Sequence, residues 1–449
     1  MADESVDLPL DATAGAGPAL NRRHVLTMLG GVALAPLLPL PLHAAPKAAA
    51  LSKADEAFLD DFQKRASLFF WEQASPTTGQ VLDRARNDLA PGARDPRRMA
   101  SIASTGFGLT ALCIADKRGY LPHREIVDRV TNTLDWHLNR FPHEHGFFYH
   151  FTDIDSGAPF AGTELSSIDT ALLLCGVLTA RAYFKDAKIH ELASKIYERV
   201  DWPWMLNGGN TFSMGWHPKE GFLDARWEHY CELMMIYLLA IGSPTHPVPA
   251  ETWHAFKRPT VEYAGIKYIS GNDPIFTHQY SQAWFDFRGK HDRYADYFEN
   301  SIKATRAHKA FCLSMPKWYS EDYWGISASD YQGGYTAWGG PPLQGPVDGT
   351  VVPNAAAGSL AFVPGDCLHV LRAMQSKYGK QAWGRYGFVD AFHPAANWYD
   401  PDVLGIDQGI SLIMAENLRT GMIWDLFMQN PEAANAMKKA GFVDGKMPV

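Results

Sequence analysis

Apolar residues recur at helical spacing along most of the chain. From Asp55 to Ala74 the series is Phe58, Phe62, Ala66, Phe69 and Phe70. Thr105 to Asp116 predicts a second helix that ends near Gly119, and Ile126, Val130, Leu134 and Leu138 predict a third. Ile168 to Tyr183 and Cys231 to Ile241 are apolar nearly all round, which predicts helices buried on both sides. Leu192, Ile196 and Val200 mark an amphipathic helix between them. Phe276 to Phe287 and Tyr294 to Leu313 form another pair; Cys367 to Tyr378, Gln408 to Met414 and Ala433 to Ala440 close the series. One short hairpin at most is expected, around Phe147 to Phe151 with a turn at Asp155-Ser156-Gly157.

Helices buried all round alternate with helices that keep one wet face. An all-α fold follows, and the alternation suits an (α/α)6 barrel, a toroid of helical hairpins with long site-forming loops. A generic helical bundle is the plainer alternative. No fixed repeat of solenoid length stands out. The body is read as one domain from residue 51 to 449.

Composition changes this picture little. Hydrophobic residues are 46% and charged residues 20%, as in ordinary globular chains. The formal net charge of −8 argues against nucleic acid, which calls for an excess of Lys and Arg. The cysteines Cys113, Cys175, Cys231, Cys312 and Cys367 are scattered and form no CxxC pair, so buried free thiols are expected and a structural zinc site is not. The 14 Trp residues suit a large core, or a groove of flat faces for sugar rings.

Residues 1–50 read as an address. Asn21-Arg22-Arg23-His24-Val25-Leu26 is a twin-arginine signature, followed by a mild apolar stretch to Leu42 and small residues at Ala44-Ala45 and Ala48-Ala49-Ala50. Glycines and prolines make that stretch a poor membrane span. The expectation is a periplasmic or secreted protein with no membrane anchor after signal cleavage, and a monomer.

The loops between helices are rich in Gly, Trp, Tyr and Asp, the composition of a site. They run from Asn207 to Trp227, Ser320 to Trp338, Gly345 to Pro353 and Tyr399 to Gly409. Trp216, Trp227, Trp324 and Trp338 are candidate sugar platforms or packing residues. No nucleophile elbow, phosphate loop or His-Glu-x-x-His motif occurs, which leaves carboxylates for acid–base work. Glu232 is the lone charge heading an apolar helix; burial would keep it protonated, as a general acid must be, unless Arg226 pairs with it. Asp169 follows Ser166 in a pattern like a capping box, and a helix N-terminus also favours an ionised carboxylate. Asp407, between glycines before a helix, is an N-cap or a site residue. Asp330 and Asp348 are similar.

At these residues the chain resembles the glucoamylase-like domain of glycoside hydrolase family 144, the bacterial β-1,2-glucanases. The matching stretches begin at Glu164 (ELSSIDTALLL), Tyr230 (YCELMMIYLLAIGSPTHP), His278 (HQYSQAWFDFRG), Trp324 (WGISASD) and Leu404 (LGIDQG). The resemblance implies an (α/α)6 barrel, no cofactor, and inverting hydrolysis of a glucan, of the endo-β-1,2-glucanase type. Exo action on β-1,2-glucooligosaccharides, another glucan chemistry on the same toroid, and a non-catalytic periplasmic glycan-binding protein are the alternatives. By motif, Glu232 and Asp169 fall where the family's essential acids lie, and Gln279, Tyr280, Asp286, Arg288, Asp330 and Asp407 fall on motifs that line its cleft. Glu164, Trp216, Arg226, Trp227, Trp324 and Asp348 complete the expected substrate-binding set, with no metal ligand. In an inverting reaction Glu232 would protonate the leaving oxygen while Asp169 or Asp407 activates water.

Overall fold

Six helices bury nearly every residue they contain. They are α2 (Ile102–Arg118), α4 (Ser167–Tyr183), α7 (Met234–Gly242), α8 (Tyr280–Trp284), α10 (Pro353–Ala357) and α12 (Gly405–Arg419). The computed structural model describes residues 51–271, 274–341 and 345–447. The six pack in a closed ring. α2 lies against α4, α4 against α7, α10 against α12, and α12 back against α2. Side chains seal the other two joints. Ser281 of α8 accepts from the Met235 N–H of α7, and Gln279 donates to the Ala355 carbonyl of α10.

A second set wraps this ring and keeps one wet face. α1 (Lys53–Glu72) packs on α12, and α3 (His123–Asn139) on α2. α5 (Ala187–Glu198) packs on α4, and α9 (Tyr297–Leu313) on the turn before α8. α11 (Pro364–Ala382) covers α10, and α14 (Pro431–Lys439) covers α7. α3 shows the pattern: Ile126, Val130 and Leu134 are buried at helical spacing while the other side meets water. The architecture is thus the (α/α)6 toroid. Two short helices, α6 (Trp202–Leu206) and α13 (Met422–Phe427), complete the helical set.

Local signals set the helix ends. Ser52, Ser101 and Ser166 cap α1, α2 and α4 through their hydroxyls, and Asp186 and Asp296 cap α5 and α9. Gly119, in the left-handed conformation at φ 67°, stops α2.

The expectation of one hairpin at most needs correction. Many antiparallel pairs of two to four residues staple the loops together. Val81–Leu82, Met99–Ser101 and Phe151–Asp153 form a three-stranded sheet; Leu165–Ser166, Gly215–His217 and Gly221–Phe222 form another. Strands this short show no period-2 alternation, so hydrophobic patterning cannot reveal them. The expected turn at Asp155-Ser156-Gly157 does exist, closed by pairing of Thr152 with Pro159.

All five cysteines are buried and free. No helix among the described residues is long and apolar enough to cross a membrane. The twin-arginine stretch and its cleavage region lie outside the described residues.

Candidate active site

The inner helices bring their N-termini to one end of the ring, and the acids sit there. Asp169 lies in the first turn of α4 and Asp407 in the first turn of α12, while Glu232 precedes α7 by two residues. Helix dipoles favour negative charge at such ends. All three side chains are buried, and the phenol of Tyr280, at the head of α8, feels the charge of each.

Among the described residues Glu232 has no basic partner. Arg226 turns away from it, donating to the Thr211 hydroxyl and to the carbonyls of Leu206 and Thr211. Burial, and then the charge of Asp169, push the Glu232 carboxyl up to about 7. Ser281 fixes the turn beneath it by donating to the Glu232 carbonyl at 2.5 Å.

Asp169 is held differently. Ser166 Oγ lies 2.5 Å from Asp169 Oδ2. His150 faces two carboxylates, with Nδ1 3.0 Å from Glu164 Oε1 and Nε2 3.5 Å from Asp169 Oδ2. Burial opposes charge on His150, but Asp169, Glu164 and Asp83 outweigh it and raise its pKa to about 9. The ring is therefore an imidazolium at neutral pH, and it holds Glu164 below the usual carboxylate range.

Around Asp407 the loops gather further acids. The strand Arg84–Arg86 pairs with Asp402–Leu404, which places Asp83 and Arg84 beside the start of α12. Arg84 donates to Asp330 at 2.6 Å and to Asp83 at 3.2 Å. Asp330 faces Tyr335 across the hairpin Ala328–Tyr331/Gly334–Ala337, and its backbone N–H donates to Asp390 Oδ2 at 2.8 Å. Tyr335 is 51% exposed, yet its hydroxyl feels Asp407, Asp390, Asp83 and Asp330. The Asp390 and Asp407 carboxyls touch, as do those of Asp400 and Asp330. Burial first, then neighbouring carboxylates, push Asp390 and Asp400 well above the ordinary carboxylate range. Burial raises Asp407 too, although contacts from Asp390 and Asn354 pull the other way.

Two triads have metal-ligand spacing, with ligand atoms within 4.8 Å of one another: His150, Glu164 and Asp169, and Asp330, Asp390 and Asp400. In the first the His150 imidazolium lies against both carboxylates, and in the second Arg84 lies on Asp330.

Of the sequence-predicted residues, Glu164, Asp169, Glu232, Tyr280, Asp330 and Asp407 come together here. Trp216, paired with Leu165 in its sheet, is partly exposed and packs on Trp204. Others are corrected. Trp324 is fully buried and Trp338 nearly so, with its indole N–H donated to Ser329, so neither can stack on a sugar. Trp227 is mostly buried and donates to Ser167. Gln279 spends its amide on Ala355 and Ser359, joining α8 to α10. Asp286 and Arg288 lie past the C-terminal end of α8, paired with each other, with Arg288 over Trp424. Asp348 accepts the Thr350 N–H in an outer loop. Arg226 ties loop backbone, as described. Sequence reasoning missed His150, Asp83, Arg84, Asn354 and Asp390, which lie on short strands, turns and a short helix without a pattern of their own.

A ring of inner-helix N-termini around buried carboxylates is the arrangement of the α/α-toroid glycoside hydrolases. The Glycoamylase family model, described as "Putative glucoamylase", matches residues 224–431. A crystal structure from Bacteroides caccae with the same description is 32% identical, covering 87% of this chain and 100% of that one, at a TM-score of 0.81. An endo-β-1,2-glucanase from Chitinophaga pinensis, in complex with sophorotriose and glucose, is 28% identical over 88% of this chain and 99% of that chain, at a TM-score of 0.80. An exo β-1,2-glucooligosaccharide sophorohydrolase (non-reducing end) from Parabacteroides distasonis is 29% identical over 429 residues. That match takes in 86% of this chain and 58% of the relative's length. The chain belongs to this glucoamylase-like family, of the glycoside hydrolase family 144 type.

Proposed function

We propose that the protein hydrolyses β-1,2-glucan by an inverting two-carboxylate mechanism. The observation that carries this reading is Glu232, a buried carboxyl with no basic partner among the described residues, pushed up to about 7 by burial at the same end of the ring as Asp169 and Asp407. A general acid needs that state. The Chitinophaga pinensis glucanase and the Parabacteroides distasonis sophorohydrolase act on β-1,2-linked substrates, which supports the linkage.

Asp407 is the better base. Asp169 has its Oδ2 engaged by Ser166 and faces an imidazolium, which weakens it as a proton acceptor. Asp407 Oδ2, though buried, receives no donor among the described residues, which leaves it a lone pair. In the proposed step Glu232 gives its proton to the glycosidic oxygen as the C1–O bond breaks. Water attacks C1 from the opposite face and loses a proton to Asp407. Asp169, with His150 and Glu164, then holds hydroxyl groups of the sugar, and Trp216 offers it a stacking face.

Endo action is the main reading; the sophorohydrolase relative favours exo action as the second. Incubation with linear β-1,2-glucan tests both. A mixed ladder of oligosaccharides supports endo action, and sophorose alone from the first minutes supports exo action. The first product should be the α-anomer; a β-anomer would refute inversion. Binding with no new reducing ends would refute hydrolysis altogether. Twin-arginine export is proposed as well, on Arg22-Arg23 alone, and a Lys-Lys replacement that left the protein's cell fraction unchanged would refute it.

A further inference from the structure

Asp407 touches Asp390, and Asp400 touches Asp330, carboxyl to carboxyl. Carboxylates only accept, so two in contact need a proton between them. The hydrogen bonds around them agree. Asp390 Oδ2 accepts from the Asp330 N–H and Asp400 Oδ1 from the Asp402 N–H. Asp390 Oδ1, Asp400 Oδ2 and Asp407 Oδ2 are buried and receive no donor among the described residues. Each pair therefore holds one shared proton, and burial favours that state.

The two pairs form one string. Carboxyl oxygens of Asp330, Asp390 and Asp400 lie within 4.8 Å of one another. The string starts at the head of α12 and ends at Asp400, which lines a concavity of about 450 Å³ on the outer surface with Asn87, Asp88 and Tyr399. A second observation points to water inside it. A cavity of about 10 Å³ between Asp390 and Asp407 is lined by Asn354, Gln408 and Ser411, which is room for about one water. Asn354 Oδ1 and Gln408 Oε1, both buried, have no protein donor there.

We infer that Asp390 and Asp400 form a proton exit for Asp407, leading through the wall of the barrel to the outer surface. The inference rests on Asp407 being the base. Each inverting turnover leaves the base protonated and the acid ionised, and a glucan in the cleft covers the direct route to solvent. Asp400 releases its proton to water in the outer concavity. Asp390 refills Asp400, and Asp407 refills Asp390. The net change is one proton moved from Asp407 to solvent, with Asp390 and Asp400 unchanged. Arg84 donates to Asp330 Oδ2 at 2.6 Å and occupies that carboxylate, so the exit does not drain towards it. The other groups facing the string are Asp83, Tyr280, Tyr335 and Asn354, with His150 facing Asp83.

Asp390→Asn tests this, because the amide keeps a donor to Asp407 but cannot pass a proton on. Substrate affinity and Tm should stay near wild type, while kcat falls by about 10²-fold, the low end of an acid–base contribution. The solvent deuterium effect on kcat should rise, and added formate should restore part of the rate. Asp400→Asn should show the same signature. Asp407→Asn tests the underlying assignment: normal turnover there removes Asp407 as the base. If Asp407→Asn is inactive while Asp390→Asn keeps the wild-type kcat and isotope effect, the exit alone is overturned. Loss of wild-type activity to a chelator, restored by calcium, would also overturn it, because a cation would then take the place of the shared protons.

Discussion

Ser166 Oγ donates to Asp169 Oδ2 at 2.5 Å and accepts the Asp169 backbone N–H at 3.2 Å. One hydroxyl thus caps α4 and aims a site carboxylate. The three-residue spacing makes both possible, since the N3 side chain of a helix folds back over the N-cap. Ser166→Ala should cost about 1 kcal/mol of stability, the usual worth of an N-cap. It should also lower kcat, because Asp169 would be left with only the longer contact to His150. Ser166→Thr should restore both. Thermal melts and steady-state kinetics read the two effects, and an unchanged kcat in Ser166→Ala would separate the cap from the site.

Glu232 sets the alkaline limb of activity. Its carboxyl is protonated below about pH 7, so kcat/KM should fall as pH rises through that value. Glu232→Gln should lower turnover by about 10²–10⁴-fold, the usual range for an acid catalyst. Stability moves with it. A carboxyl raised in the folded state binds its proton more tightly there, so its contribution is present below about 4.5 and lost as pH rises through 7. Glu232→Gln should therefore melt higher than wild type at pH 8, by at most on the order of 3 kcal/mol of stability. A variant that melts lower than wild type at pH 8 and keeps its turnover would refute the buried-acid assignment.

His150 carries a dependence of the same sign, displaced to higher pH. Its imidazolium is raised to about 9 by the two carboxylates it faces, against about 6.5 in the unfolded chain. The stability it contributes is full below pH 6.5 and is lost as pH climbs through 9. His150→Gln should therefore lower Tm more at pH 6 than at pH 9.5. Equal losses at both would mean that the ring serves packing on Phe151 and not charge.

The reach of sequence reasoning follows chain distance. α4 and α7 were legible because their residues are apolar on nearly every face, and Asp169, Glu232 and Asp407 because each stands at or just before a helix head. Helix length was less legible. The run from Phe276 to Phe287 divides into a short 3-10 turn, Ile275–His278, and the five-residue α8. α10 is too brief to show a period. The acid string was not legible, because Asp390 meets Asp330 across sixty residues and Asp400 meets it across seventy, through strands of two to four residues. Trp324 misled for another reason. A tryptophan in a glycine-rich loop signals apolar area, and nothing in its neighbours tells whether that area faces the groove or the core.

The ring itself can be tested at Gly176. A Cβ there would stand 2.0 Å from the Gly106 carbonyl oxygen, and a Cβ at Gly106 would stand 2.3 Å from the Leu172 oxygen. The backbones of α2 and α4 therefore touch, and neither can yield without moving a whole inner helix. Gly176→Ala should cost at least the roughly 1–3 kcal/mol of ordinary overpacking. It should also lower kcat, since displacing α4 displaces Asp169 at its head. Gly379 in α11 is the control. A Cβ there meets only ordinary contacts at 3.7 Å, so Gly379→Ala should gain up to about 1 kcal/mol from helix propensity. Urea melts of the two variants decide the matter, and a Gly176→Ala protein as stable as wild type would show that α2 and α4 have slack that this packing denies.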